Sequence, residues 1–147
     1  MAKRAVKRAV RWLALALSVG FAVAATALWY GVLRPWDYVA PPGLAPIEQN
    51  VKHRVFAYGT LRLPLLRRLV VGRKTPVRPA ALAGFRKDGL NIVAQAGALT
   101  PGEVFVVDAE ELRRIDRYER LGVRYRRCAL PLVSGTTAWV YRRLDGD

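Results

Sequence analysis

Glu119 is the residue of this chain whose position carries the most chemistry. In AEELRRIDRYER, Leu112 and Ile115 are spaced i, i+3, and the same helical stripe continued to i+7 lands on Glu119. Arg113, Arg114, Arg117 and Arg120 occupy much of the remaining surface. A carboxylate at the end of an apolar stripe faces the core or a cavity. Burial raises a carboxyl pKa and neighbouring guanidinium groups lower it, so periodicity leaves the sign of the shift open. A cavity-facing carboxyl with a tuned pKa suits general acid–base work. The other reading of the same pattern is a helix-end ion pair with one of the arginines. The second chemical feature is Val55-Phe56-Ala57-Tyr58-Gly59-Thr60-Leu61-Arg62, a strand running into a tight, glycine-permitted turn. Such a turn can present successive backbone N–H groups to a carboxylate or phosphate.

Scarcity excludes other chemistry. A single histidine, His53, removes the Ser-His-Asp triad and most histidine-based metal sites. A single cysteine, Cys128, rules out an intramolecular disulfide framework and multi-cysteine zinc or iron–sulfur sites. His53, between Lys52 and Arg54, reads as a surface residue. Cys128 reads as a small buried residue within a strand, and Asp116 as the partner of a nearby arginine.

The elements that must position these residues follow from pattern. Residues 51–58 form a β-rich run ending at Gly59, and 64–71 a short helix with Gly72 at its C-terminal cap. Residues 80–85 and 90–94 read as strands around the turn Lys87-Asp88-Gly89, and 103–107 as a further strand after Pro101-Gly102. Asp108 followed by Glu111 is a capping box that opens the Glu119 helix. Residues 125–133 and 138–142 close the domain as a hairpin. Strands outnumber and mix with helices, so the class is α+β.

Ahead of this lies a different composition. The 147 residues carry Lys+Arg 25 against Asp+Glu 11, a net charge of +14. Residues 1–11 hold five cations and no acid, and residues 12–33 lack Lys, Arg, Asp and Glu altogether. A helix over 12–33 is long enough for a ~30 Å hydrocarbon core, with Trp12 at one end and Trp29, Tyr30 and Trp36 near the other. The length of the apolar run favours a retained anchor over a cleaved signal. The basic flank predicts a single-pass topology with a cytoplasmic N-terminus and an extracytoplasmic domain, periplasmic in a bacterium. Residues 34–50, with Pro35, Pro41, Pro42 and Pro46, are expected as a proline-rich linker, which leaves 51–147 as the globular domain. Membrane lipid is the expected partner of 12–33. The outward topology argues against nucleic acid, and the remaining basic clusters read either as contacts to anionic headgroups or as solvated faces.

The string VFAYGTLR resembles the first motif of the gamma-glutamylcyclotransferase-like family, which includes the gamma-glutamylamine cyclotransferases and the avirulence-induced-protein-like domains. Ile115-Asp116-Arg117-Tyr118-Glu119, followed by Tyr125 and Arg127, is similar to that family's second motif, with Arg120 in place of its usual glycine. The resemblance covers about 54–143. It implies a small mixed β-barrel flanked by short helices, with Tyr58, Gly59, Thr60 and Leu61 as the substrate-binding loop. It also implies Glu119 as the catalytic acid/base and Tyr125 as a residue that shapes the site. The implied activity cyclises a gamma-glutamyl amide or peptide to 5-oxoproline and releases an amine, without metal or cofactor. The alternative is a non-catalytic, membrane-tethered accessory or binding subunit that docks another membrane protein.

Overall fold

The computed structural model describes residues 2–28 and 38–145. The chain divides into two units at Asp37/Tyr38. In the first, helix α1 spans Ala2–Leu28 and exposes Trp12, Leu13, Leu15, Leu17 and Phe21. Its uncharged part, residues 12–28, is about 25 Å long at ~1.5 Å per residue, short of a ~30 Å hydrocarbon core. No helix among the described residues is long and apolar enough to cross a membrane. The expectation of a spanning helix over 12–33 is corrected to that extent; residues 29–33, with the flanking Trp36, lie outside the described residues.

The second unit is built on a five-stranded sheet of order β2-β3-β1-β5-β4. The strands are β1 (His53–Ala57), β2 (Val77–Asp88), β3 (Asn91–Val107), β4 (Tyr125–Pro131) and β5 (Thr137–Arg143). β1 runs antiparallel to β3 and parallel to β5, so the sheet is mixed. Helices α2 (Pro64–Val71) and α3 (Ala109–Glu119) pack on one face, which gives the expected α+β class. The sheet is open where a closed barrel was expected. Its edges meet where the Val133 N–H donates to the Ala81 carbonyl at 2.9 Å, with no β2–β4 ladder among the described residues. β4 ends at Pro131, which has no N–H to continue a ladder.

The 103–107 segment is the end of β3 rather than a separate strand. Gly84 and Gly97, at φ 78° and 76°, accommodate the register shift between Ala83 and Phe85, so one bent hairpin serves both halves of the domain. Gly102 lets β3 approach β1. A Cβ there would sit 2.5 Å from the Ala57 carbonyl oxygen and 2.6 Å from the Phe56 ring.

Strand alternation divides the apolar residues between two cores. Val55, Ala57, Phe105 and Val107 face Leu112 and Ile115 of α3 and Val71 of α2. Phe56, Leu82, Ile92, Leu132 and Val140 form the second core on the other side. Residues 38–50, expected as part of a tether, lie against the domain. The Tyr38 hydroxyl donates to the Leu121 carbonyl at 2.7 Å, and Leu44 and Ile47 pack on the first core. Gly122, at φ 78°, leaves the space that Pro41 and Leu44 occupy.

Candidate functional site

The turn after β1 is a 3-10 turn over Thr60–Arg62, closed by the Arg62 N–H to the Gly59 carbonyl at 3.1 Å and the Leu63 N–H to the Thr60 carbonyl at 3.0 Å. The N–H groups of Thr60 and Leu61 precede the first of these internal bonds, as the leading donors of any helical turn do. Arg67, buried on α2, holds the turn from below. Its Nη1 donates to the Leu61 carbonyl at 2.9 Å and lies 3.0 Å from the Glu103 carboxylate.

Helix α3 delivers Glu119. Asp108 accepts from the Glu111 N–H while the Glu111 carboxylate accepts from the Asp108 N–H, each at 2.9 Å, which completes the expected capping box. Leu112 and Ile115 are fully buried, and this fixes the helix rotation that turns Glu119 inward. One residue earlier, the Tyr118 hydroxyl is 3.0 Å from Thr60 Oγ1, so the last turn of α3 is tied to the loop after β1.

Glu119 is partly buried, and burial pushes its carboxyl up to about 7, with Arg124 pulling the other way. Of the two influences left open by periodicity, desolvation wins. Tyr58, Tyr118, Tyr125 and Tyr141 all have raised hydroxyl pKa values. Burial is the first cause in each, and the negative charge of Glu119 adds to all four. Glu119, at the end of α3, is therefore near enough for its charge to act on all four tyrosines.

An acid whose folded pKa exceeds its unfolded value stabilises the fold below the unfolded pKa, and that contribution is lost as pH rises through the folded one. Between the ordinary carboxyl value of 4.5 and about 7, Glu119 should therefore cost the fold up to about 3 kcal/mol. Thermal melting of wild type and Glu119→Gln across this window checks it. The stability of wild type should fall relative to that of the variant, and parallel curves would contradict the buried-carboxyl assignment.

Not every residue expected at the site offers its side chain. Tyr58 is buried and its hydroxyl donates to the Tyr141 carbonyl; Leu61 is part of the first core. Tyr125 is buried, with its hydroxyl donating to the Leu90 carbonyl at 3.1 Å. Gly59 and Thr60 are the partly exposed members of the loop. Three residues that sequence reasoning passed over support the site: Arg67 beneath the turn, Tyr118 on Thr60, and Tyr141. The hydroxyl of Tyr141 donates to Asp116, whose other oxygen lies 2.5 Å from Arg127 Nη1. Tyr118 could have been found from its place beside Glu119. Tyr141 could not, because its role depends on long-range strand register.

His53 is buried rather than at the surface. Its Nδ1 accepts from the Trp139 indole N–H at 3.4 Å and its Nε2 donates to the Glu48 carbonyl at 2.9 Å. Cys128 is half-buried rather than buried. Arg120 caps α3 in the left-handed region, at φ 52° and ψ 57°, a conformation that glycine adopts without the Cβ penalty. Arg120→Gly is expected to raise stability by about 0.5–1 kcal/mol in a denaturant titration. A groove of about 920 Å³ opens elsewhere, along β2, and none of residues 58–61, 119 or 125 lines it.

An open mixed sheet with two helices on one face, and a half-buried carboxyl at the end of the helix that Tyr118 ties to the glycine turn, define a small α+β domain. The family model described as gamma-glutamyl cyclotransferase, AIG2-like, matches residues 55–146, and the chain belongs to this family. Three solved structures share its fold. Two are Arabidopsis thaliana proteins determined in solution. One is 24% identical, covering 70% of this chain and 68% of its own at a TM-score of 0.58. The other is 22% identical, covering 70% and 76% at 0.59. The third is titled gamma-glutamyl cyclotransferase and is 16% identical, covering 66% and 69% at 0.53. No curated protein sequence matches the chain.

Proposed function

We propose that this domain cyclises a gamma-glutamyl amide or peptide, releasing 5-oxoproline and a free amine. The observation that carries the reading is the 3.0 Å contact of the Tyr118 hydroxyl with Thr60, which ties the turn after β1 to the end of α3, where burial pushes the Glu119 carboxyl up to about 7. The substrate's α-amine attacks its own γ-carbonyl carbon; a C–N bond forms and closes the five-membered ring. The side-chain amide C–N bond then breaks. Glu119 takes the proton from the attacking amine and gives it to the leaving amine, and a pKa near neutrality suits both transfers. The nucleophile is tethered to its electrophile, so positioning supplies much of the rate. The Gly59–Leu61 turn holds the α-carboxylate through backbone N–H groups, and Tyr125 shapes the wall.

The membrane setting is a finer part of the proposal. It is supported by the five cations before the apolar run and by the exposed Trp12, Leu13 and Phe21 of α1. Recovery of the full chain in the carbonate-resistant membrane fraction tests it, and recovery in the supernatant would contradict it.

The chemical test uses the full chain with a gamma-glutamyl amide and its α-N-acetyl derivative. The free amine should yield 5-oxoproline and amine in equal amounts. The acetylated compound, which lacks the nucleophile, should yield none. Equal amine release from both would indicate ordinary amide hydrolysis and overturn the reading.

A further inference from the structure

The second core is unfilled at one end. Ala80, Val104 and Leu132 belong to it, and the same three residues line the groove of about 920 Å³ along β2. Strand register shows why. Arg54 pairs with Val106, and Val104 with both Phe56 and Arg78, so Arg54, Val106, Val104 and Arg78 share one face. Further along that face Phe56 and Leu82 are buried core residues, while Arg54, Arg78 and Val106 are exposed. An apolar floor thus runs out of the core and ends between two arginines.

Those arginines are available. Arg73, also on the groove, is committed to the Glu111 carboxylate through two bonds of 2.5 and 2.9 Å. Arg54 and Arg78 have no ion pair or hydrogen bond through their side chains among the described residues. They stand on β1 and β2, either side of β3. Two interstrand spacings of ~4.8 Å and a two-residue offset put their Cα atoms roughly 12 Å apart. Two extended arginine side chains can close on one anion across that gap, above Val104 and Val106. Lys52 adds a third cation at the rim, and Ser134 and Thr136 add hydroxyls opposite.

We infer that this groove binds a small amphiphilic anion, with its apolar part laid on Val104, Val106 and Leu132 and its carboxylate or phosphate between Arg54 and Arg78. The volume falls within the usual range for a small-molecule site, and apolar walls with a few converging polar groups are the usual lining. The site is independent of Glu119, at the opposite end of β1 from the Gly59 turn.

The test follows amide resonances of the full chain with three probes: decanoate below its micellar concentration, acetate, and decyltrimethylammonium. Decanoate should perturb residues 78–81, 104–106 and 132–136. Acetate and the cationic surfactant should leave these unchanged. In the Arg54→Gln/Arg78→Gln double variant decanoate affinity should fall at least tenfold, while Arg113→Gln, a cation on α3, should change it less than twofold. Both altered arginines are exposed, and Val106→Glu provides a second check by placing a like charge on the floor; it too should abolish the perturbation. Unchanged affinity in the double variant, an equal loss in the Arg113 control, perturbation confined to α1, or the same response to acetate would each overturn the assignment.

Discussion

Glu119→Gln is expected to lower kcat by about 10²–10⁴ while leaving KM within a few-fold. The amide is nearly isosteric, so the packing around it keeps its shape, but it cannot accept and return a proton. Its effect on the fold has the opposite sign above neutral pH. The wild-type carboxyl at about 7 must ionise in a desolvated place, and glutamine never does. At pH 8 the variant should therefore melt higher than wild type and turn over far less. That combination separates catalysis from structure. An ion-pair partner replaced by glutamine would melt lower and keep its rate per folded molecule.

The largest effect on stability is expected at Arg127. Its side chain is 2% exposed, lies 2.5 Å from Asp116, donates to the Ala45 carbonyl at 3.0 Å and stacks 4.8 Å from the Trp139 ring centre. Asp116 already has a raised pKa, because burial outweighs the hydrogen bond from Tyr141 and the charge of Arg127. Arg127→Ala would leave that carboxyl desolvated without its cation, at a cost of about 3–5 kcal/mol. For a domain of this size the melting temperature should drop by roughly 10 °C or more. It would also free residues 38–47 from one of their ties to the domain. Asp116→Asn should cost less, since its single amide oxygen can still accept from Arg127 while its NH2 can donate to the Tyr141 hydroxyl. A drop below about 3 °C for Arg127→Ala would show that the pair does not hold the core together.

The local devices of this fold were legible before its long-range ones. Asp108 and Glu111 announce the start of α3, Gly72 the end of α2, and the Leu112–Ile115 stripe the inward turn of Glu119. Each depends on residues within one or two turns. The chain does not announce that β2 and β3 form one long bent hairpin, because Pro101-Gly102 reads locally as a break. It becomes strand interior only through pairing with Ala81 and Ala80 of β2. The packing of 38–50 is hidden for a similar reason: its prolines forbid a helix but do not say what the segment lies against, and Gly122 makes that surface. His53 looks exposed from its charged neighbours, yet strand alternation carries it to the buried side beside Val55. At the site, Glu119 and the Gly59 turn could be picked out from types and spacing. Tyr58 and Tyr125 came with the family resemblance and Tyr118 stands beside Glu119 in the chain, but Tyr141 could not be picked out, since it reaches Asp116 only through the register of β5.

The most direct test of the central claim is chromatographic detection of 5-oxoproline from the purified full chain given gamma-glutamyl amides and their α-glutamyl isomers at pH 7–8. 5-Oxoproline should form from at least one gamma-glutamyl compound and from none of the α-linked isomers, in which the amine cannot close the same ring with loss of that amide. A folded protein that releases no 5-oxoproline from any gamma-glutamyl compound, or releases it equally with Glu119 replaced by glutamine, would contradict it.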